Sequence, residues 1–191
     1  QRTLIRTPRS LPEDHVSLDQ WEYHFRHDGG ARVIQASSGT GRFEEFLRGE
    51  VGGKGPEAYR KAIQENVQRD FQSAGPRAVA HGDPHDRIRP FGVRIDIDAA
   101  RKFNPARGRF SLRLALASVL ASLPWLLRRA FDPGSPIAKR QRDLWLPRPY
   151  TAESIYRVVP PVGFRLTRRP QAGVRRLGPA TFTTTVEPAR D

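Results

Sequence analysis

The residues best suited to hold a metal ion lie in one short segment, His81-Gly-Asp-Pro-His-Asp86. Imidazole and carboxylate groups at this spacing could hold a divalent ion, and His81, Asp83 and His85 would then form the site of a hidden enzyme. Three residues between two histidines on a Pro-containing loop is not a recognised ligand spacing, however. The segment is therefore predicted to be a polar turn that follows a helix.

No other arrangement of residues forms a catalytic or cofactor site. Asp96 and Asp98 would lie on one face of a strand about 7 Å apart, but the neighbouring Arg94 favours ordinary solvent-facing ion pairing. Residues 52–55, Gly-Gly-Lys-Gly, lack the long loop, preceding strand and Lys-Ser/Thr ending of a phosphate-binding loop. The chain has no Cys, which excludes disulfides, zinc–thiolate sites and thiol catalysis. We therefore predict that the chain is not an enzyme and uses no cofactor.

The net charge of +13 comes entirely from the second half of the chain. Residues 1–100 contain 15 basic and 15 acidic side chains, whereas residues 101–191 contain 18 basic and 5 acidic ones. Such an asymmetry predicts an anionic partner for the basic half. The candidate anion-binding residues are the paired basic residues Arg128, Arg129, Lys139, Arg140, Arg168, Arg169, Arg175 and Arg176.

Two observations set limits on the anionic partner. Of the 33 basic residues 29 are arginine, a bias that a GC-rich genome also produces. The basic pairs are scattered, whereas phosphate-binding surfaces tend to interleave basic residues with aromatic residues or glycine, and this argues against nucleic acid. Because of the charge asymmetry, an anion-binding module for surface polysaccharide, lipid head groups or nucleic acid stays the alternative interpretation of the chain.

The first part of the chain is predicted to begin with a β-hairpin. Residues 16–26 alternate between apolar and polar side chains, and residues 31–37 form the return strand after an Asp-Gly turn. The aromatic residues predicted to share the inner face of the first strand are Trp21, Tyr23 and Phe25.

Two helices and a further strand are predicted to follow the hairpin. The first helix would pack through an apolar stripe and end at Gly52-Gly53, and the second would run from about Pro56 to Ser73. Residues 92–98 alternate as a strand. The stripe of the first helix is Phe43, Phe46, Leu47 and Val51, and the inward residues of the strand are Val93, Ile95 and Ile97.

The second half is typical of a β-sandwich, because short strands recur between Pro and Gly residues. The apolar run 114–127 contains Ser118, Ser122 and Pro124 and falls short of the ~20 residues that a membrane span needs. It is predicted to lie in the core, so no transmembrane segment is expected. Residues 131–142 resemble a linker. The predicted strands of this half are 143–146, 154–159, 164–167 and 181–186, with a strand-like start at 109–120.

The predicted fold class is α+β with two units. Residues 1–100 would form an N-terminal β-hairpin with two helices, and residues 101–191 a basic, immunoglobulin-like antiparallel β-sandwich. The chain contains no Met, so we expect Gln1 to follow a processing or excision site in a longer protein.

Two segments of the second half resemble a known family. Residues 142–153 read RDLWLPRPYTAE and residues 155–166 read IYRVVPPVGFRL. Together they resemble the C-terminal β-domain of bacterial exported transglutaminase-like proteins, in which a D-L-x-L-P-x-P-Y-T stretch leads into a strand and then into P-P-x-G-[YF]-x-V. The order of elements over residues 12–191 is also similar, with residues 43–71 as a helical insert.

The resemblance implies an accessory region without the catalytic core, since the Cys, His and Asp of that family would lie before Gln1. It implies export to the periplasm or cell surface and a structural or docking role beside a transglutaminase- or protease-like core. The implied partner is the remainder of the parent protein or another protein chain. A non-catalytic interaction module is therefore the first hypothesis for this sequence.

Overall fold

The structure is a computed structural model that describes residues 9–73, 75–101, 111–112, 148–177 and 180–188. Within these ranges the chain is mixed α+β, as predicted. A 3-10 turn (Pro12–Asp14) precedes the first strand. The helices are α1 (Arg42–Gly52) and α2 (Pro56–Phe71), and the strands are β1 (Val16–Phe25), β2 (Ala31–Gly39), β3 (Ala78–His81), β4 (Gly92–Ala100), β5 (Thr151–Val159), β6 (Gly173–Leu177) and β7 (Ala180–Thr184).

Five strands form one sheet in the order β3-β4-β2-β1-β5, and β6 pairs with β7 in a separate two-stranded sheet. Neighbours in the large sheet are antiparallel except β1 and β5, which run parallel with Val16 opposite Thr151. A strand from the second half of the sequence therefore completes the sheet of the first half. The division into units 1–100 and 101–191 stays a prediction, since most of residues 102–147 lie outside the described ranges.

The first hairpin turns at the predicted Asp-Gly sequence. The Arg26 N–H donates to the Gly30 carbonyl at 2.8 Å, and the Asp28 carboxylate accepts from the Gly30 N–H at 2.9 Å. Gly29 has φ +85°, a left-handed conformation that residues with a Cβ rarely adopt. The predicted strand–turn–strand unit is therefore confirmed.

Both predicted helices are present, but one residue of the predicted stripe does not pack. Phe43 and Val51 are buried and Leu47 packs against the core, whereas Phe46 is 64% exposed. Successive helical residues are rotated by about 100°, so Phe46 lies to one side of the line that runs through Phe43, Leu47 and Val51. The prediction that Phe46 belongs to the buried stripe is wrong.

The core lies between the two helices and one face of the large sheet. Val93, Ile95 and Ile97 point into it as predicted and are 7%, 8% and 0% exposed. Trp21 of β1 meets Phe71 of α2 at a ring-centroid distance of 6.2 Å. Burial of this aromatic face favours neutral side chains and thereby raises the pKa of Tyr23, to which the nearby Tyr156 adds.

The second half agrees with the sequence in part. The strands predicted at 154–159 and 181–186 are found as β5 and β7. The strand predicted at 164–167 is wrong, because residues 164–172 contain no strand. Instead the Phe164 N–H donates to the Pro161 carbonyl in a turn, and proline at 160, 161 and 170 removes backbone donors on both sides.

Several sequence-based predictions fall on residues that the structure does not describe. These are the strand at 143–146, the linker at 131–142, the apolar run 114–127 and the strand-like start at 109–120 apart from residues 111 and 112. Neither helix in the described ranges is long and apolar enough to cross a membrane.

Candidate interaction surface of the basic arm

The polar face of the sheet carries a two-point ion pair between neighbouring strands. Arg32 of β2 reaches Asp96 of β4 through Nη2–Oδ2 and Nε–Oδ1 distances of 2.7 and 3.0 Å. This hydrogen bonding holds the pKa of Asp96 below its usual range against the opposing effect of burial. The sequence suggested Arg94 as the ion-pair partner of this carboxylate. Arg94 adds only a weaker electrostatic contribution, because the cross-strand neighbour supplies the hydrogen bonds.

Six of the thirteen Lys and Arg side chains in the described part of residues 16–101, which we call the sheet region, form ion pairs with carboxylates. Arg26, directly after β1, pairs with Asp98 of β4, and Arg157 of β5, outside this range, reaches Glu22 of β1 at 3.4 Å. Further pairs are Lys54–Glu50 at 2.5 Å, Arg69–Asp70 at 3.1 Å and Arg89–Asp86 at 3.8 Å.

Arg48 is the one buried arginine in the described residues, and it fastens residues 83–89 to α1. Only 7% exposed, it is bound by the Glu44 carboxylate through Nη2 at 2.5 Å. Its guanidinium also donates to the carbonyls of Asp83, Pro84 and Arg89 at 3.1, 3.3 and 2.7 Å. All of these bonds are internal, so Arg48 has a structural role.

The predicted metal-ligand segment lies at the end of β3 and in the turn after it. The Asp83 carboxylate accepts from the His85 N–H at 2.8 Å, and the His81 Nδ1 lies 2.8 Å from the Gly82 carbonyl. The His81 ring also packs edge-on against Tyr59 at 5.8 Å. The side chains of His81 and Asp83 are thus engaged in local turn and ring contacts. In the described part of the chain, no group of three or more metal-ligating side chains is found.

The sequence analysis did not identify His15, which is buried where β1, β5 and α1 meet. Its carbonyl accepts from the Thr151 N–H at 3.0 Å, and its Nδ1 accepts from the Arg42 N–H at 3.4 Å. A Cβ at Gly41 would collide with this ring, and Gly41 has φ +54°. Its Nε2 has no hydrogen-bond partner among the described residues. A buried histidine beside a helix start has no periodic signal, so the sequence pattern could not indicate it.

The described residues of 160–188, which we call the basic arm, differ from the sheet region. The arm contains five arginines, and its sole acidic residue is Glu187. Arg168, Arg169, Arg175 and Arg176, which the sequence predicted to bind anions, are all exposed. None of them makes an ion pair with another described residue. The predicted residues Arg128, Arg129, Lys139 and Arg140 lie outside the described ranges.

The β6–β7 hairpin separates two arginines that are adjacent in the sequence. Arg175 lies opposite Phe182, and Arg176 lies opposite Thr181. Because successive residues of a strand point to opposite faces, each face of the hairpin carries one arginine. The Arg175–Arg176 pair therefore presents one charge on each face of the hairpin, and Phe182 accompanies only the first of them.

The arm also exposes apolar side chains. Val162, Leu166 and Val174 are 89%, 70% and 63% exposed. The aromatic contact between Phe164 and His27, at a centroid distance of 5.7 Å, joins the start of the arm to the turn of the first hairpin. Exposed apolar and arginine side chains thus alternate along one segment, a composition that suits association with another molecule.

No family model, curated protein or solved structure matches the chain.

Proposed function

We propose that this chain is a non-catalytic structural and interaction module of an exported transglutaminase-like protein, where it supports or docks a catalytic core. The observation that carries the proposal is the basic arm, in which Val162, Leu166 and Val174 are exposed beside arginines that form no ion pair with a described residue. The resemblance of residues 142–166 to the accessory β-domain of that family favours a transglutaminase- or protease-like core as the partner. The same resemblance favours a location in the periplasm or at the cell surface.

The two-stranded sheet of the arm supports a docking role. A two-stranded hairpin is at best marginally stable in water and needs a further layer to pack against. Phe182 is only half-buried, and the side chains of Thr181 and Thr183 are exposed. A surface of this kind gains stability from a partner that covers it.

The immunoglobulin-like sandwich is the finer part of this proposal. In it, the β6–β7 hairpin belongs to one of the two layers, and the second layer would satisfy the packing need of the hairpin. One arginine of the Arg175–Arg176 pair would then lie on the outer face of the hairpin, where a partner can reach it.

Native mass spectrometry on the protein isolated from its source without denaturation tests the docking proposal. We expect the chain to be detected in a complex with a second polypeptide that carries a Cys-His-Asp core. The double variant Leu166→Asp/Val174→Asp should lose this association, because a carboxylate placed in an apolar contact is costly to desolvate. Ile88→Asp is the matched control, since Ile88 is 95% exposed in the turn between β3 and β4. A chain that travels alone, or double-variant binding equal to that of the control, would contradict the proposal.

Anion binding by the arm is a second candidate function, favoured by the exposure of Arg168, Arg169, Arg175 and Arg176, none of which pairs with a carboxylate in the described ranges. The anion would be surface polysaccharide or lipid head groups. Binding to a heparin-like polymer should weaken steeply with salt, because the contacts are electrostatic and exposed. The variant Arg175→Gln/Arg176→Gln should weaken it, and Arg87→Gln/Arg94→Gln, two exposed arginines of the sheet region, should not. Salt-insensitive binding, or equal loss in both variants, would exclude the arm as the site.

A further inference from the structure

An open groove lies beside α2 and the end of β4. Its walls come from α2, from the turn between α2 and β3, and from the end of β4. Its volume of about 440 Å³ is within the range of small-molecule sites in proteins. The lining residues used below are Arg60, Gln64, Ser73, Arg77, Asp98 and Ala99.

Two arginines line this groove, one of which, Arg77, also exerts a weaker electrostatic effect on the Asp96 carboxyl. Arg60 of α2 and Arg77 of the turn are exposed, and neither makes an ion pair within 4 Å of a described carboxylate. The one acidic group in the lining, Asp98, is already bound by Arg26. The groove therefore has a positive excess, although residues 1–100 as a whole are electrically balanced.

The backbone that forms the floor of the groove is held in place. The buried Ser73 donates through Oγ to the Asp98 carbonyl at 2.9 Å. The Arg77 N–H donates to the Asp96 carbonyl at 2.7 Å, which fixes the Cα from which the Arg77 side chain starts. The backbone from which Arg77 projects is thus anchored by hydrogen bonds, so a ligand that binds there has chiefly the side chain to order.

The end of β4 departs from regular strand geometry at the groove. β4 has one residue more than β2 between Ile97 and Ala100, which makes a β-bulge. Within it, Ala99 has φ +55°, a left-handed conformation that is strained for a residue with a Cβ. Bulges and strained residues of this kind concentrate where a protein shapes a binding or catalytic surface.

We propose that this groove binds a small organic anion with two negative charges, held by Arg60 and Arg77 with Gln64 as a further hydrogen-bond donor. The planar guanidinium group matches carboxylate and phosphate oxygens, so the shared chemistry is that of an oxyanion. The site is separate from the basic arm. It adds ligand binding to the interaction role proposed above and does not depend on it.

Calorimetric titration of the full chain with succinate, inorganic phosphate and acetate tests the proposal. We expect the divalent succinate or phosphate to bind at least about tenfold more tightly than acetate, because two charge-assisted contacts replace one. Preference for succinate would assign a dicarboxylate, and preference for phosphate a phosphate ester. Absence of binding by both, or equal affinity for acetate, would overturn the proposal.

Substitution locates the binding. Arg60→Gln and Arg77→Gln should each weaken the preferred anion by about tenfold, and both residues are exposed, so the fold should survive. Arg87→Gln is the control, an exposed arginine in the turn between β3 and β4 outside the groove. Backbone amide NMR shifts at Ser73, Gly75, Arg77 and Ala99 on titration should accompany binding. Unchanged affinity in both groove variants, or shifts confined to the arm, would overturn the assignment.

Discussion

Five of the eleven arginines in the sheet region form ion pairs with carboxylates, whereas the five arginines of the basic arm are exposed and have no ion-pair partner among the described residues. In the sheet region the arginine fork joins strands and loops at defined distances, as with Arg32 and Asp96 at 2.7 Å. In the arm the same side chain keeps its hydration and its rotamer freedom. The net charge of a chain therefore says little about binding until the arginines that form ion pairs are distinguished from those that do not.

The largest expected difference in stability is between two variants that each lose one arginine, one in the sheet region and one in the basic arm. Arg48→Leu should lower the free energy of unfolding by about 3 kcal/mol, because Glu44 and three carbonyls lose their partner in a buried setting. Arg176→Leu in the arm should change it by less than about 0.5 kcal/mol. Urea denaturation of both variants measures the difference. Equal losses would remove the distinction between the two regions.

Backbone hydrogen exchange should separate the regions next. The β6–β7 hairpin forms its own sheet and has exposed side chains, whereas β2 lies in the middle of five strands. We expect amides of β6 and β7 to exchange at least about 100-fold faster than those of β2, because local opening of the hairpin breaks few other contacts. Mass spectrometry of the exchanged chain provides the rates. Comparable protection would mean that the hairpin is packed against another layer.

Acid should act on the sheet region through Asp96. The pKa of this carboxyl is lowered in the folded state, chiefly by the hydrogen bonds from Arg32, so the unfolded chain takes up its proton first as pH falls. Its contribution to stability is complete well above pH 4, declines as the pH falls past the usual Asp value and is lost below the folded pKa. Asp96→Asn should lower stability at pH 7 and flatten the decline between about pH 5 and pH 3. Denaturation midpoints across this range test it, with Glu187→Gln in the arm as a control that keeps the slope.

The smallest effect concerns strain, which the described residues show in the sheet region at Gln72 and Ala99. Gln72 ends α2 with φ +51°. Gln72→Gly should raise the free energy of unfolding by about 0.5–1 kcal/mol, because glycine adopts this conformation without a Cβ clash. Ala99→Gly should give a gain of about 0.5 kcal/mol or less, since glycine also loses more entropy on folding. Thermal unfolding measures the change in stability of both variants. A loss of stability in Gln72→Gly would show that the Gln72 side chain makes stabilising contacts.

Local patterns predicted the first hairpin, both helices and β4, because apolar periodicity and turn residues act over short distances, but they did not predict the short strand β3. The Asp28-Gly29 turn, both helices and the inward face of β4 follow from such patterns. The pairing of β5 with β1 does not, since nothing in Thr151–Val159 specifies which distant strand it meets. For the same reason the Arg32–Asp96 pair was missed, as its register depends on the β2–β4 alignment.

Part of the binding surface was predictable and part was not. Exposure of Arg168 and Arg176 follows from charge alone, because a free guanidinium is costly to bury. The strand expected at 164–167 failed since proline on both sides limits backbone pairing. The groove between Arg60 and Arg77 required the α2–β4 packing, which brings together residues that no motif connects.

The parallel pairing of Val16 with Thr151 has a consequence for how the chain reaches its structure. A ribosome completes β1 early and β5 only after most of the chain has been made. Until then β1 presents an unpaired edge beside the aromatic residues Trp21, Tyr23 and Phe25, and such edges invite pairing with other chains. Joining strands so distant in sequence also slows folding, because loop closure must precede the contact. The chain is therefore most exposed to mispairing with other chains in the interval between the synthesis of β1 and that of β5.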